Sequence, residues 1–259
     1  MAEVVIVASK EAAGELAADR IAALVARKPH AVLGLATGST PLPVWIALRN
    51  RGLDLSRVRG FALDEYLGLP PGHPESYRAV ITREVVEPLG LDPRLVRVPG
   101  DDDGPVETAG ERYETAIRDA GGVDLQILGI GRTGHIGFNE PGSSLASRTR
   151  VKTLTDATRA DNARFFDAPD EVPRHCLTQG LGTILDAREL VLLAFGAAKA
   201  EAVAGAIEGP VSASLPGSVI QLHPEVTVLL DEAAAGALRY ADYYRASWEH
   251  RAEVGRDVS

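Results

Sequence analysis

Apolar and polar positions along the chain form two alternating patterns. Short, almost wholly apolar runs occur at residues 4–8, 31–36, 60–63, 124–128, 189–194 and 226–230. Between these runs, apolar residues recur every three or four positions, as do Leu16, Ile21, Leu24 and Val25. The first pattern predicts buried strands. The second predicts helices at residues 11–27, 41–48, 76–86, 107–120 and 199–207, and in a polar segment with several aromatic residues that closes the chain.

The order of these elements indicates the fold class. Nearly continuous apolar strands separated by helices are typical of a parallel sheet that is covered on both faces. We therefore predict an α/β fold with a doubly wound, mostly parallel, Rossmann-like sheet and helices on both faces. No repeat or linker divides residues 1–259, so we expect a single domain. Residues 150–180 are polar and rich in arginine and lack a strong strand pattern, which predicts a partly separate lid segment.

Composition and charge narrow the classes of partner. The chain has 45% hydrophobic and 24% charged residues, which are ordinary values for a globular protein. Its net charge of −9 argues against a nucleic-acid-binding surface. No apolar run approaches the roughly 18 residues of a membrane helix, and the first run is too short for a signal peptide. Cys176 is the only cysteine, so no intrachain disulfide can form. We expect a cytoplasmic protein with no nucleic-acid or membrane partner.

Two predicted strand ends carry groups suited to an anion, and ligands of open α/β sheets bind at such ends. Gly38, Ser39 and Thr40 follow a strand and open a helix, where hydroxyl groups and free N–H groups favour a bound anion. An ordinary helix cap explains these residues equally well. Lys199 lies in the first turn of another helix, which is an unfavourable place for a cation unless an anionic ligand is near. An ordinary exposed lysine is the simpler alternative.

A third predicted strand end carries two acids. Asp64 and Glu65 come directly after an apolar run and before Tyr66. Acids near a core are costly unless they serve a purpose, and a general base is one such purpose. A solvated turn is the alternative interpretation. The loop that follows, residues 68–77, is rich in Pro and Gly, which suggests the shaped rim of a site.

The fourth strand end is a glycine-rich loop at residues 129–141. Its first six residues match the GxGxxG pattern of dinucleotide sites, but Asn139, Glu140 and Pro141 prevent the helix that such a site requires. His135 and Glu140 lie five residues apart and suit an acid–base relay, although a structural histidine is about as common. The four strand ends together favour proton abstraction beside a carbonyl on a phosphorylated sugar. The sequence shows no metal-ligand spacing, so we expect no metal.

Six segments resemble glucosamine-6-phosphate deaminases. They are LGLATGSTP, LDEYLGLPPGHPESY, LGIGRTGHIGFNEPGSSLASRTRVKTL, NARFF, LTQGLGTILDA and FGAAKA. The resemblance extends from about Ala31 to Leu230, and the second and third segments are long enough to be highly specific. It implies a hydrolase of amino-sugar catabolism that isomerises and deaminates glucosamine 6-phosphate to fructose 6-phosphate and ammonia. It also implies that the enzyme needs no metal or organic cofactor.

The resemblance further implies a role for each site residue. Asp64 would move a proton between C2 and C1 of the open-chain sugar, and His135 would assist ring opening at O5 with Glu140 in its relay. The lid would close over the sugar. The residues that would contact the substrate phosphate are Gly38, Ser39, Thr40, Arg164 and Lys199.

One position departs from the family pattern. Thr133 stands where family members often have Asp or Asn immediately before the Gly-His pair. In members with Asp, this residue belongs to the histidine relay. A threonine hydroxyl can form a hydrogen bond but cannot carry charge, so the relay and the pH profile are expected to differ here.

The resemblance also implies a second phosphate site and an oligomer. Some family members are hexamers that N-acetylglucosamine 6-phosphate activates, and Ser143, Arg150 and Lys152 match residues of that allosteric site. Ordinary surface polarity is the alternative interpretation of these three residues. We predict a homo-oligomer, for which a hexamer is one form.

Three other functions stay open at this level. A related enzyme could act on galactosamine 6-phosphate, because the sequence does not reveal the stereochemistry at C4. A 6-phosphogluconolactonase would share the fold, but it would need no proton abstraction at C2. A non-catalytic sugar-phosphate sensor would be expected to carry a DNA-binding segment, and neither a helix-turn-helix extension nor a basic composition is found.

Overall fold

The computed structural model of the chain describes residues 2–254. The strands are β1 (Glu3–Val7), β2 (Val32–Leu35), β3 (Arg59–Ala62), β4 (Asp64–Leu67), β5 (Val96–Arg97), β6 (Leu125–Gly129), β7 (Arg150–Thr153), β8 (His175–Thr178), β9 (Leu190–Ala194) and β10 (Val226–Asp231). The α-helices are α1 (Lys10–Arg27), α2 (Leu42–Asn50), α3 (Tyr77–Ile81), α4 (Glu87–Leu89), α5 (Val106–Asp119), α6 (Asp156–Asn162), α7 (Leu181–Leu185), α8 (Ala200–Glu208) and α9 (Ala241–Val254).

The main sheet has seven strands in the order β1-β10-β9-β6-β2-β3-β5, and every neighbouring pair is parallel. Every residue of β2 and β9 is buried, because helices pack around the sheet and shield it from water. All six apolar runs of the sequence are strands of this sheet. The predicted α/β class is therefore confirmed.

The sheet has a topological switch point between β2 and β6. From β2 the chain passes through α2 to β3 on one side, whereas β6 pairs with β2 on the other side. Connections that leave in opposite directions open a crevice at the carboxyl ends of the two strands. The loops that follow β2 and β6 carry Gly38–Thr40 and His135, so the crevice lies where the sequence placed its candidate residues.

A second, antiparallel sheet has the strand order β4-β8-β7. It packs on a small apolar cluster of its own that includes Tyr66, Phe138, Leu154, Val172 and Cys176. The backbone N–H of Gln179 donates to Leu63 O at 2.7 Å, and Gln179 Nε2 donates to Ala62 O at 3.0 Å, which ties β8 to the end of β3. The small sheet thus continues directly from the large one.

Two strands of the small sheet lie within residues 150–180, for which the sequence showed no strong strand pattern. The segment begins with β7, ends with β8 and carries α6 between them. Its strands have only four residues each, and β7 alternates half-buried with exposed residues because one of its faces meets solvent. Asp64 and Glu65, expected at a strand end or turn, form the start of β4. Within residues 2–254, no helix is both long enough and apolar enough to span a bilayer.

Candidate active site

A cavity of about 380 Å³ opens at the carboxyl ends of β2, β3 and β6. This volume lies within the usual range for a small-molecule site. The structure brings seven of the predicted substrate-site residues together on its walls, namely Gly38, Ser39, Thr40, Asp64, His135, Arg164 and Lys199. The other two predicted residues, Thr133 and Glu140, lie behind His135.

The loop between β2 and α2 offers unused donors to the cavity. Gly38 has a φ of +84°, a conformation that favours glycine and turns the chain sharply into α2. No hydrogen bond within the described part of the chain engages the hydroxyls of Ser39 and Thr40. Together with the free N–H groups at the start of the nine-residue α2, these hydroxyls suit an anionic ligand.

Asp64 supplies a buried carboxyl group at the cavity wall. It is only 6% exposed, because β4 pairs it with Thr178 of β8 at the junction of the two sheets. Burial and, to a smaller extent, the charge of Glu65 raise its pKa to about 8, and the Phe138 N–H partly opposes this shift. A carboxyl group whose pKa lies near neutrality is well suited to accept and return a proton.

Glu65 fixes the wall next to Asp64. Its carboxylate accepts hydrogen bonds from the backbone N–H groups of Tyr66, Tyr77 and Arg78, at 2.7, 2.8 and 2.8 Å. The last two belong to the start of α3, so Glu65 links β4 to that helix. Tyr77 lines the cavity and stacks on Phe138 at a ring-centroid distance of 5.8 Å. Neither this link nor the aromatic wall was predicted from the sequence.

His135 lies over the backbone of the glycine-rich loop. A Cβ at Gly131 would fall 2.1–2.4 Å from three ring atoms of His135, so only glycine permits this position of the imidazole. Thr133 Oγ1 is 2.8 Å from His135 Nδ1 and 3.3 Å from Glu140 Oε2, and Glu140 Oε2 is 3.6 Å from Nδ1. All three groups are satisfied if Nδ1–H donates to Thr133, whose hydroxyl donates to Glu140. This arrangement leaves Nε2 available to a ligand in the cavity.

Glu140 anchors this relay to the lid segment. It is 3% exposed, and its Oε1 accepts hydrogen bonds from Thr155 at 3.1 Å and from Thr158. Burial alone would raise its pKa, but the adjacent His135 imidazole and the hydrogen bonds from Thr158 and Thr155 outweigh burial and lower the pKa to about 2. Glu140 therefore stays ionised at neutral pH. Sequence reasoning missed both threonines, because their spacing at the start of α6 matches an ordinary helix cap.

One part of the cavity wall, called here the cationic end, carries mostly positive charge. Arg164 and Lys199, both predicted, line it together with Arg132 and Asp161, which were not predicted. Burial lowers the pKa of Lys199; the charge of Asp161 opposes this shift, and the charges of Arg164 and Arg132 add to it. Three cations therefore surround one carboxylate at this end, which suits a phosphate group.

The residues of the predicted second phosphate site lie outside the cavity. Arg150 and Lys152 are two positions apart on β7 and so point to the same face of the small sheet. Arg150 Nη1 donates to Asn139 Oδ1 at 2.9 Å, directly beside Glu140. Ser143 is buried, its Oγ has no hydrogen-bond partner, and no hydrogen bond within residues 2–254 joins it to Arg150 or Lys152. The allosteric site stays a prediction.

A buried carboxyl group, a hydrogen-bonded imidazole and a cationic end meet in the crevice of an open parallel sheet, which is typical of an α/β enzyme for a small anionic substrate. Comparison with known proteins identifies the family. The family model described as glucosamine-6-phosphate isomerases/6-phosphogluconolactonase matches residues 7–229. The chain belongs to this family.

Individual relatives agree with this assignment. The chain is 57% identical over 264 residues to glucosamine-6-phosphate deaminase from Bifidobacterium longum, covering 97% of this chain and 98% of the relative. A solved structure of a monomeric glucosamine-6-phosphate deaminase matches with a TM-score of 0.87 and 40% identity, over 91% of this chain and 99% of the other. The 6-phosphogluconolactonase of Leishmania guyanensis matches at 22% identity with a TM-score of 0.71, over 91% and 98% of the two chains, and shares the fold.

Proposed function

We propose that the chain converts glucosamine 6-phosphate and water into fructose 6-phosphate and ammonia. The observation that carries the proposal is the single cavity that joins Asp64, the His135 relay and the cationic end. Its groups suit a substrate that carries both a phosphate and an exchangeable C–H proton. The named relatives support the same reaction.

The proposed reaction begins with binding and ring opening. The phosphate at C6 would lie against Arg164, Lys199 and the β2–α2 loop, where positive charge and free donors favour a dianion. Ring opening breaks the C1–O5 bond, moves a proton from the C1 hydroxyl to O5 and gives an aldehyde. His135 would transfer this proton through Nε2, while Thr133 and Glu140 stabilise the imidazolium form from behind.

Isomerisation and loss of nitrogen follow. Asp64 would take the proton from C2 while the C1 carbonyl oxygen takes a proton from the substrate ammonium group, which forms an enol-amine. Asp64 would then return its proton to C1, which leaves a protonated imine at C2. Addition of water to the imine then releases ammonia and leaves the C2 ketone of fructose 6-phosphate. Because isomerisation precedes the use of water, "deaminating isomerase" describes the proposed reaction more fully than "hydrolase".

Two related reactions remain as alternatives. A lactonase would use the same phosphate site but would form no bond between solvent hydrogen and the carbon skeleton. An enzyme for galactosamine 6-phosphate would use the same proton transfers and differ only in its contacts at C4. The buried position of Asp64 and its pKa of about 8 favour carbon–hydrogen chemistry over lactone hydrolysis.

Product analysis in deuterated water tests the proposal. With glucosamine 6-phosphate as substrate, we expect deuterium at C1 of the fructose 6-phosphate, detected by NMR, to the extent that Asp64 exchanges its proton with solvent. Parallel reactions contain galactosamine 6-phosphate or 6-phosphogluconolactone. Faster turnover of the lactone than of both amino sugars would refute the proposal.

We also propose, from the family resemblance, the homo-oligomer, the cytoplasmic location and the second phosphate site at Ser143, Arg150 and Lys152. A solved relative is described as monomeric, so light scattering on the purified chain is the direct test of oligomeric state. Activation is tested by adding N-acetylglucosamine 6-phosphate, which is expected to convert a sigmoidal rate curve into a hyperbolic one. A hyperbolic curve that the acetylated sugar leaves unchanged would remove the second site.

A further inference from the structure

One ion pair at the cationic end of the cavity has no role in the reaction proposed above. Arg132 belongs to the glycine-rich loop and Asp161 to α6. Arg132 Nε donates to Asp161 Oδ2 at 3.1 Å, and Nη2 donates to Oδ1. Because both bonds use one edge of the guanidinium, Nη1 is left without a hydrogen-bond partner in the part of the chain that the structure describes.

Stability does not account for this pair. The side chain of Arg132 is 56% exposed and that of Asp161 is 35% exposed. Ion pairs this open to solvent contribute at most about 1 kcal/mol to folding. The lid segment is already held to the glycine-rich loop by the hydrogen bonds from Thr155 and Thr158 to Glu140, of which the one from Thr158 is fully buried.

The surroundings of the pair point to a ligand. Arg132 and Asp161 line the same cavity as Arg164 and Lys199, and the charges of Arg132, Arg164 and Asp161 all act on the Lys199 ammonium. Three positive charges and the negative charge of Asp161 give this end of the cavity a net charge of +2. A phosphate monoester carries about −1.5 to −2 charges at pH 7, so the net charge of this end complements the charge of such a ligand while the Arg132–Asp161 pair is in place.

We propose that Arg132 is a third cation of the phosphate site and binds the phosphate oxygens through its free Nη1 edge. Asp161 acts as a positioning residue, because its two hydrogen bonds fix the plane of the guanidinium. A planar guanidinium held in this way suits a phosphate better than a mobile ammonium does. The inference rests on the proposed function and adds a residue to its substrate site.

Three variants test the assignment. Arg132→Ala is expected to raise KM for glucosamine 6-phosphate about tenfold and to leave kcat within about twofold, because the lost contact binds substrate and transition state alike. Arg132→Lys should give a KM between wild type and Arg132→Ala, since the charge is kept and the fork is lost. The control is Arg94→Ala, because Arg94 makes the same side-on pair with Asp92 on an exposed surface outside the cavity.

Inorganic phosphate provides a readout that a purely structural role would not change. We expect Arg132→Ala to weaken competitive inhibition by inorganic phosphate by about the same tenfold factor as KM, and Arg94→Ala to leave it unchanged. An unchanged KM and phosphate inhibition in Arg132→Ala, or a fall in kcat alone, would overturn the assignment.

The failure of this inference can be distinguished from failure of the proposed function. If the wild-type protein releases no ammonia from glucosamine 6-phosphate, the proposed reaction is wrong. Isothermal titration of wild type and Arg132→Ala with inorganic phosphate then still tests the site directly. Weaker phosphate binding by the variant supports Arg132 as a phosphate ligand, and equal binding rejects it.

Discussion

At the scale of single residues, Asp64 and Glu140 show how burial and hydrogen bonding separate two carboxyl groups. Asp64 accepts few hydrogen bonds and its pKa is raised to about 8, whereas Glu140 is held by hydroxyl donors and its pKa is lowered to about 2. One group is therefore able to exchange a proton near neutral pH, and the other keeps its charge. This division supports the base role proposed for Asp64 and the supporting role proposed for Glu140.

The charge of Glu65 gives a prediction for pH dependence. Since this charge helps to raise the pKa of Asp64, Glu65→Gln should shift the acidic limb of kcat/KM to lower pH. In the wild type, kcat/KM should rise with pH until about 8, because Asp64 must lose its proton to act as a base. The measurement is a pH series of kcat/KM for both proteins. If the acidic limb of kcat/KM lies at the same pH in the variant and in the wild type, the ionisation of Asp64 does not determine that limb.

Lys199 gives a prediction for substrate affinity. Lys199→Ala should raise KM for glucosamine 6-phosphate by about tenfold or more, because a half-buried cation that contacts the phosphate is lost. Steady-state kinetics measure the effect, and Lys10→Ala is the matched control because Lys10 is exposed at the start of α1. Equal KM values for the two variants would remove Lys199 from the phosphate site.

At the scale of elements, α6 is the part of the lid segment that completes the relay. It carries Thr158, and Thr155 caps its first turn, so both hydroxyls reach Glu140 from one short helix. The sequence indicated His135 and Glu140 from a single loop. It did not indicate the threonines, because their contacts with Glu140 span 15 and 18 residues and depend on where α6 packs.

Removal of the Thr158 hydroxyl tests the contact between α6 and Glu140. Thr158→Val should lower the free energy of unfolding by about 1.5–3 kcal/mol at pH 7, since a buried carboxylate loses a donor. The folded pKa of Glu140 lies below its ordinary value of 4.5, so its stabilisation is present above that pH and is lost as the pH falls toward about 2. The difference between variant and wild type should therefore shrink in acid.

Urea unfolding at pH 7 and in mild acid measures this effect. Thr115→Val is the control, because the hydroxyl of Thr115 is exposed and contacts only Glu111 O of its own helix. A loss of the same size in both variants, or a difference that does not depend on pH, would contradict the role given to Thr158.

At the scale of the whole molecule, six of the seven strands of the large sheet could be predicted, whereas the two-residue β5 and the small sheet could not. The six apolar runs are strands because burial on both faces requires apolar residues at nearly every position. By contrast, β4, β7 and β8 are four residues long and partly polar, and their pairing joins segments far apart in the sequence.

Contacts between residues far apart in the sequence were also missed in the candidate site. Strand ends and the resemblance indicated Asp64, His135 and the phosphate-binding residues of the cavity, but not its aromatic wall or the pair of Arg132 with Asp161.

The junction of the two sheets predicts cooperative unfolding. Since β4 follows β3 after one residue and Gln179 bonds to both Ala62 and Leu63, the lid segment should not melt separately. Calorimetry is expected to show one transition with equal calorimetric and van't Hoff enthalpies. Leu154→Ala, in the small apolar cluster, should lower the stability of the whole chain by about 2–5 kcal/mol. Two separate transitions would argue for two domains.

In the proposed reaction, this cavity isomerises and deaminates glucosamine 6-phosphate with Asp64 as the base. The most direct measurement follows ammonia and fructose 6-phosphate together, for the wild-type chain and for Asp64→Asn. We expect equal amounts of both products from the wild type. For Asp64→Asn we expect kcat to fall about 10²–10⁴-fold with little change in KM, since the side chain keeps its size and loses its basicity. No ammonia from the wild type, or near-normal turnover by Asp64→Asn, would contradict the claim.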